Sequence, residues 1–172
     1  MGEPPRLSQI LLPREKAIIY FVTLCVEKRC SVLASDKTFG AIKEAISQLK
    51  RWRVLSGVIM PDHLHLVITP SGDRGLSVGD FTNGFKRAVR KAVAAQPWEW
   101  QRGGWDRLLR SEESLQAKWS YLEQNPVRAG LVQNSSEWPF YLGSVVEDGK
   151  LAASPTEAVK EDGKLTASPT EP

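Results

Sequence analysis

A single α+β domain built on an antiparallel sheet is predicted for this 172-residue chain by three features. Short β-branched and aromatic runs alternate with stretches whose apolar residues recur at helical spacing. Two apolar runs flank Met60-Pro61-Asp62 as consecutive strands with no helix between them. Hydrophobic residues make up 41% of the chain, the content of a soluble globular protein with room for a real core.

The elements follow in order. Ile18-Ile19-Tyr20-Phe21-Val22-Thr23-Leu24 is β-branched and aromatic, hence a strand. Ser35-Asp36 offers an N-cap for a helix to about Arg51, with Phe39, Ile42, Ile46 and Leu49 at helical spacing. Strands follow from about Val54 to Met60 and through His63-Leu64-His65-Leu66-Val67-Ile68. Ser71-Gly72-Asp73-Arg74-Gly75 reads as a turn and lacks the spacing of a phosphate-cradling loop. A second helix from about Val78 to Ala95 turns Phe81, Phe85, Ala88, Val89 and Ala92 inward. A last short strand falls between Trp100 and Leu109, and Ser111-Glu112-Glu113 caps a third helix that ends at Asn125-Pro126, since proline disfavours helix in the residue before it. That order is a ferredoxin-like β-α-β-β-α-β sandwich followed by a helix carrying Tyr121.

Residues 1–14 are an N-terminal extension, 15–143 the domain, and 144–172 an acidic tail. In the tail, Glu147-Asp148-Gly149-Lys150-Leu151 recurs fourteen residues on as Glu161-Asp162-Gly163-Lys164-Leu165. With so few large apolar side chains the tail cannot offset the entropy of ordering, so disorder is expected there. The net charge of +3 divides into −3 over residues 147–172 and +6 over the rest, a basic domain that favours a polyanionic partner. No apolar run is long enough to span a membrane and the first residues carry no signal-peptide pattern, so a cytoplasmic protein is expected. Cys25 and Cys30 lie an odd number of positions apart, which on a continuous strand turns them to opposite faces and argues for free thiols.

The chain's two histidines, His63 and His65, sit two apart on an apolar strand. Alternation points both to one face, where two imidazoles can converge on a divalent metal. The same spacing suits hydrogen-bonded core histidines, and metal-binding His-x-His pairs serve several chemistries. On the third helix Leu115, Trp119 and Leu122 form the core stripe, while Tyr121 and Asn125, one turn apart, share a neighbouring face. By themselves these two read equally as a half-buried aromatic and a C-terminal cap.

Met60-Pro61-Asp62-His63-Leu64-His65-Leu66 resembles the Met-Pro-Asn/Asp-His-hydrophobic-His-hydrophobic motif of the HUH single-tyrosine transposases. Trp119-Ser120-Tyr121 through Asn125-Pro126-Val127-Arg128-Ala129-Gly130-Leu131 is similar to their Tyr-x-x-x-Asn-Pro-Val-[Arg/Lys]-Ala-Gly-Leu motif, the pattern of REP-associated tyrosine transposases, which act on single-stranded repetitive extragenic palindromes. The likeness covers about residues 15–142. It implies Tyr121 as nucleophile, His63 and His65 as ligands of Mg²⁺ or Mn²⁺, Asn125 as a third ligand or orienting group, and a hairpin of single-stranded DNA as partner of a monomer or homodimer. Gly103-Gly104-Trp105-Asp106-Arg107 departs from the family's usual pattern at Gly104 and Arg107.

The resemblance implies a metal-dependent single-strand endonuclease and strand transferase working through a 5′-phosphotyrosine. Lys86, Arg87, Arg90 and Lys91 on the second helix, with Arg128 after the third, are the candidate phosphate contacts; a solvated helix face is the plainer reading of the first four. Trp98, Trp100 and Trp105 are available for base stacking or for the core. Asp62 is expected in at most a supporting role. The alternatives are a domesticated hairpin-binding protein without cleavage, and a metal hydrolase of small substrates that would leave Tyr121 without a purpose.

Overall fold

The computed structural model describes residues 18–94, 96–110 and 112–143; the N-terminal extension and the acidic repeat tail lie outside these. Five strands and three α-helices are described: β1 (Ile19–Cys25), α1 (Asp36–Ser47), β2 (Trp52–Ile59), β3 (His63–Pro70), α2 (Val78–Ala92), β4 (Trp105–Leu109), α3 (Glu112–Arg128) and β5 (Tyr141–Leu142). The sheet order is β4-β1-β3-β2-β5, with every neighbouring pair antiparallel. Its first four strands have the order that the β-α-β-β-α-β reading requires.

Strand alternation gives the sheet two faces with different lids. Tyr20, Val22, Leu24, Leu64, Leu66 and Ile68 meet one another and the inward residues of α1 and α2, Ile42, Phe81, Phe85 and Val89 among them. Ile19, Phe21, Val58 and Val67 face the other way, against Leu115, Trp119 and Leu122 of α3. A bulge in β2 between Val54 and Ser56 inserts an extra residue, Leu55. Val54 therefore packs with the first core and Val58 with the second, although simple alternation would give them one face. Just beyond, β2 runs so close to β3 that a Cβ on Gly57 would lie 2.8 Å from the His65 carbonyl oxygen.

The Ser35 cap forms as the sequence predicts, Ser77 adds one that it did not single out, and Ser111 lies outside the described residues. Ser35 Oγ accepts the Thr38 amide at 3.4 Å and Ser77 Oγ the Asp80 amide at 3.3 Å. The C-termini differ from expectation. α1 stops at Ser47 rather than near Arg51, and α2 at Ala92, which is exposed while Val93 takes the buried place. α3 passes through Pro126 and continues to Arg128. Proline removes one donor to the preceding turn without preventing the turns that follow. The helix closes where Gly130 adopts φ 69°, with Leu131 N–H bonded to the Pro126 carbonyl at 2.9 Å and Gly130 N–H to that of Val127 at 2.9 Å.

After α3 the chain returns to the sheet edge, a feature with no clear sequence signal. Asn134 and Glu137 cap a short 3-10 turn reciprocally, Trp138 Nε1 donates to the Ile59 carbonyl at 3.0 Å, and β5 pairs with β2. Tyr141 then donates its hydroxyl to the Glu123 carbonyl of α3 at 2.6 Å, fastening the helix to the sheet it covers. Burial, followed by the nearby Glu123 carboxylate, pushes the Tyr141 phenol up to about 12 and keeps it a donor.

Candidate active site

The two histidines open β3 on the α3 side of the sheet. The turn before them is held by loop backbone: Val26 N–H bonds the Asp62 carbonyl at 2.9 Å, and Val32 and Leu33 N–H groups both bond that of Pro61 at 2.8 Å. With the strand beginning at His63, its alternation does not extend to Asp62, whose side chain turns back along the strand start. Asp62 Oδ1 lies 2.6 Å from His63 Nδ1, and Oδ2 receives Arg29 Nε at 2.6 Å. Arg29 also donates to Cys25 Sγ at 3.0 Å and reaches within 3.5 Å of His63 Nδ1. Lys28 and Arg29 hold φ of 56° and 54°, a left-handed pair uncommon for residues with side chains, which brings the guanidinium over the turn. Cys25 and Cys30 are both free thiols.

His65 is only 5% exposed, and its Nδ1 pairs with Thr23 Oγ1 at 2.8 Å across the β1–β3 ladder. Its Nε2 is buried with no hydrogen-bond partner. Burial first, then the charges of His63, Lys118 and Arg29, lowers the His65 pKa to about 3, so the ring is neutral at physiological pH. A neutral imidazole donating Nδ1–H to Thr23 carries its lone pair on Nε2.

This donor set fits a divalent cation. In each histidine one nitrogen is engaged by a neighbouring oxygen, the supporting contact that typically orients a metal-binding imidazole, and the other nitrogen is left for the ion. The orphaned Nε2 of a buried ring otherwise has no physical compensation. Among the described residues no group of three His, Cys, Asp or Glu side chains is assembled.

α3 lays Tyr121 against His65. The His65 and Tyr121 rings meet edge-on with centroids 5.3 Å apart, the two imidazoles lie 4.8 Å apart, and Phe21 stacks on His65 at 5.1 Å while meeting Tyr121 edge-on at 5.9 Å. Asn125 follows one turn later and is buried. Two cations frame the phenol ring: Lys118 Nζ lies 5.1 Å from its centroid and 4.7 Å from that of Phe21, and Arg128 lies 5.6 Å away in the last turn of α3. Desolvation, then the charge of Arg107, lowers the Lys118 pKa.

The candidate phosphate stripe on α2 does not come together as expected. α2 covers the opposite face of the sheet from Tyr121. Lys86 is buried rather than presented to solvent. Its Nζ donates to the carbonyls of Gln101, at 2.7 Å, and Gly103, because a lysine inside the fold must find acceptors for its ammonium. Arg90 is engaged by Glu99 at 3.0 Å and sits over Trp98, leaving Arg87 and Lys91 as the exposed members. Trp98 is core, and Trp100 is partly buried and bridges to Val26 outside the strands proper. Sequence reasoning missed Arg29, Thr23, Phe21 and Lys118. Thr23 and Phe21 could have been found from cross-strand alternation and Lys118 from its i−3 relation to Tyr121, but nothing foretells the left-handed turn that delivers Arg29.

No family model matches the chain. A curated relative, the REP-associated tyrosine transposase of Escherichia coli strain K12, is 28% identical over 127 residues, covering 70% of this chain and 73% of that protein. Among solved structures, a REP-associated tyrosine transposase bound to a REP hairpin superposes with a TM-score of 0.65 at 23% identity, over 82% of both chains. The fold is thus the one seen in that solved transposase structure, and the chain is similar in sequence to the curated relative. Both comparisons point to similarity with REP-associated tyrosine transposases, the family that the two motifs resemble. No helix among the described residues is long and apolar enough to cross a membrane.

Proposed function

We propose that this protein is a metal-dependent single-stranded DNA endonuclease and strand transferase that cuts beside palindromic hairpins with Tyr121 as nucleophile. The observation that carries this reading is the packing of Tyr121 against His65, whose Nε2 is buried and unpartnered. The hairpin partner is taken from the REP hairpin bound by the structural relative.

A phosphodiester is an anion that repels nucleophiles, so its cleavage needs positive charge on the non-bridging oxygens and a nucleophile in line with the leaving oxygen. His63 and His65, joined by Asn125, would hold Mg²⁺ or Mn²⁺, which when bound supplies Lewis-acid polarisation of the phosphate. Asp62 and Thr23 keep the two rings oriented, and Arg128 lies close enough to Tyr121 to contact the same backbone. Tyr121 forms the O–P bond and loses its proton as the P–O3′ bond breaks, and the departing 3′ oxygen gains a proton. The 5′-phosphotyrosine retains the energy of the broken bond, so a second 3′-hydroxyl can displace Tyr121 and join strands without a nucleotide cofactor. Because Tyr121 packs on His65 of its own chain, the reading needs no exchange of helices between two copies.

The test is incubation with a single-stranded hairpin and Mn²⁺, followed by a denaturing gel. The unaltered protein is expected to give a protein-linked DNA band. Tyr121→Phe should reduce that band at least about a thousandfold while hairpin binding survives, as expected when a nucleophile is lost and the ring is kept. An adduct that persists in Tyr121→Phe reassigns the nucleophile. Binding by the unaltered protein with no adduct leaves a hairpin-binding protein.

A further inference from the structure

A patch beside the phenol takes no part in that reaction. β4 lies along β1 with Trp105 opposite Thr23 and Arg107 opposite Phe21, so both β4 side chains project to the Tyr121 side of the sheet. Trp105 is 47% exposed, and among the described residues Leu131 is the one other large hydrophobic side chain so open to water. The Trp105 ring meets Phe21 edge-on at 6.2 Å and Phe21 meets Tyr121 at 5.9 Å, which puts the outer two rings no more than about 12 Å apart. The Lys118 ammonium lies over Phe21 and Tyr121, and Arg107 is exposed on the same strand edge.

The loop leading to this tryptophan is fixed. Buried Lys86 holds the carbonyls of Gln101 and Gly103, Gly103 takes φ 72°, and a Cβ on Gly104 would lie 2.8 Å from Leu24 Cδ2, so the chain passes close against the sheet. A tightly aimed loop thus presents a large aromatic ring to solvent. Burial alone gives no reason for that exposure, and an open π-face on the same side of the sheet as Arg107, next to the Phe21 ring that Lys118 covers, matches the chemistry of a nucleotide: a base to stack and phosphates to neutralise.

We propose that Trp105 is the stacking platform for the unpaired nucleotide next to the scissile phosphate, with Lys118 and Arg107 binding the phosphates on either side of it. The subsite rests on the proposed DNA-cleaving function and adds which part of the single strand is gripped. It also gives Lys86 a purpose other than DNA contact, that of positioning the loop before β4.

The experiment measures binding in a Tyr121→Phe background, where no turnover intervenes. The probes are hairpin oligonucleotides with an unpaired 5′ flank, an unpaired 3′ flank or no flank, each flank carrying 2-aminopurine beside the hairpin. Trp105→Ala should weaken one flanked hairpin about ten- to a hundredfold, within the range for losing a base–aromatic stack, and abolish its 2-aminopurine quenching. The flankless hairpin should bind as before. Trp105→Phe should keep most of the affinity, and an abasic site at the stacked position should erase the difference made by Trp105→Ala. Lys118→Gln should lower the salt dependence of flanked binding by about one phosphate contact. Equal affinities with and without the Trp105→Ala substitution, or equal losses on flanked and flankless hairpins, overturn the subsite. An adduct that forms with no Trp105 effect sinks the subsite alone, whereas a Trp105 effect with no adduct from the Tyr121 protein sinks the nuclease reading alone.

Discussion

The two faces of the sheet share the same strands yet differ in what their lids leave buried. Under α1 and α2 the core is mainly hydrocarbon, built on Leu64, Leu66, Phe81 and Phe85, with the Lys86 ammonium bonded to loop carbonyls and the Trp100 indole N–H unpartnered at its margin. Under α3 the corresponding layer holds Phe21, His65, Tyr121 and the Lys118 ammonium, and it leaves a buried ring nitrogen without a partner. The first face is organised by the hydrophobic effect, which is indifferent to direction. The second carries polar groups whose burial is unfavourable unless something binds them. The larger apolar core therefore lies on one side and the candidate site on the other, divided by the alternation of single strands.

Neighbouring residues on β3 give the sharpest test, because Leu64 and His63 point to opposite faces. Leu64→Ala should lower folding stability by about 2–5 kcal/mol in urea titrations, with cleavage per folded molecule retained. His63→Ala should leave the unfolding midpoint near that of the unaltered protein and reduce metal-dependent adduct formation by about a hundredfold or more. A His63→Ala protein that cleaves normally, or a Leu64→Ala protein that folds normally but does not cleave, would break the division.

A smaller effect is expected from the carboxylate behind the first histidine. Asp62→Asn removes the negative charge from His63 Nδ1 and from Arg29, and should weaken Mn²⁺ binding about ten- to a hundredfold by calorimetry while adduct formation recovers at high metal. Unchanged metal affinity would show that the Asp62 contact only braces the turn.

The smallest effect is graded with pH. The folded-state pKa of His65 lies below its ordinary value, so the unfolded chain takes up its proton first as pH falls. The contribution is complete above about pH 6.5 and is lost as pH drops towards about 3, amounting to about 1–2 kcal/mol between pH 6.5 and 5. It should appear, with a chelator present, as a steeper loss of stability than in His65→Gln. Equal slopes would mean that His65 is not held neutral by burial.

Much of the fold was legible because its signals are local. The Ser35 cap, the β-branched run of β1 and the apolar spacing of α2 each act within a few residues. The helix ends were less legible. Pro126 reads as a stop, but Gly130, which can adopt positive φ, closes α3 and carries Arg128 alongside Tyr121. Lys86 has the charge of a surface residue and the register of a helix face, and only the return of the Gln101–Gly103 carbonyls buries it.

Residue spacing was enough to set the order of elements, the common face of His63 and His65 and the shared helix of Tyr121 and Asn125, since strand and helix periods are local properties of the chain. Long-range packing settled that the tyrosine helix covers the histidine face, that Tyr141 fastens it there, and that Arg29, Lys118 and Trp105 border the same cluster of rings. Those contacts join residues far apart in the chain, and their geometry depends on which sheet face a helix buries, a choice set by the whole core.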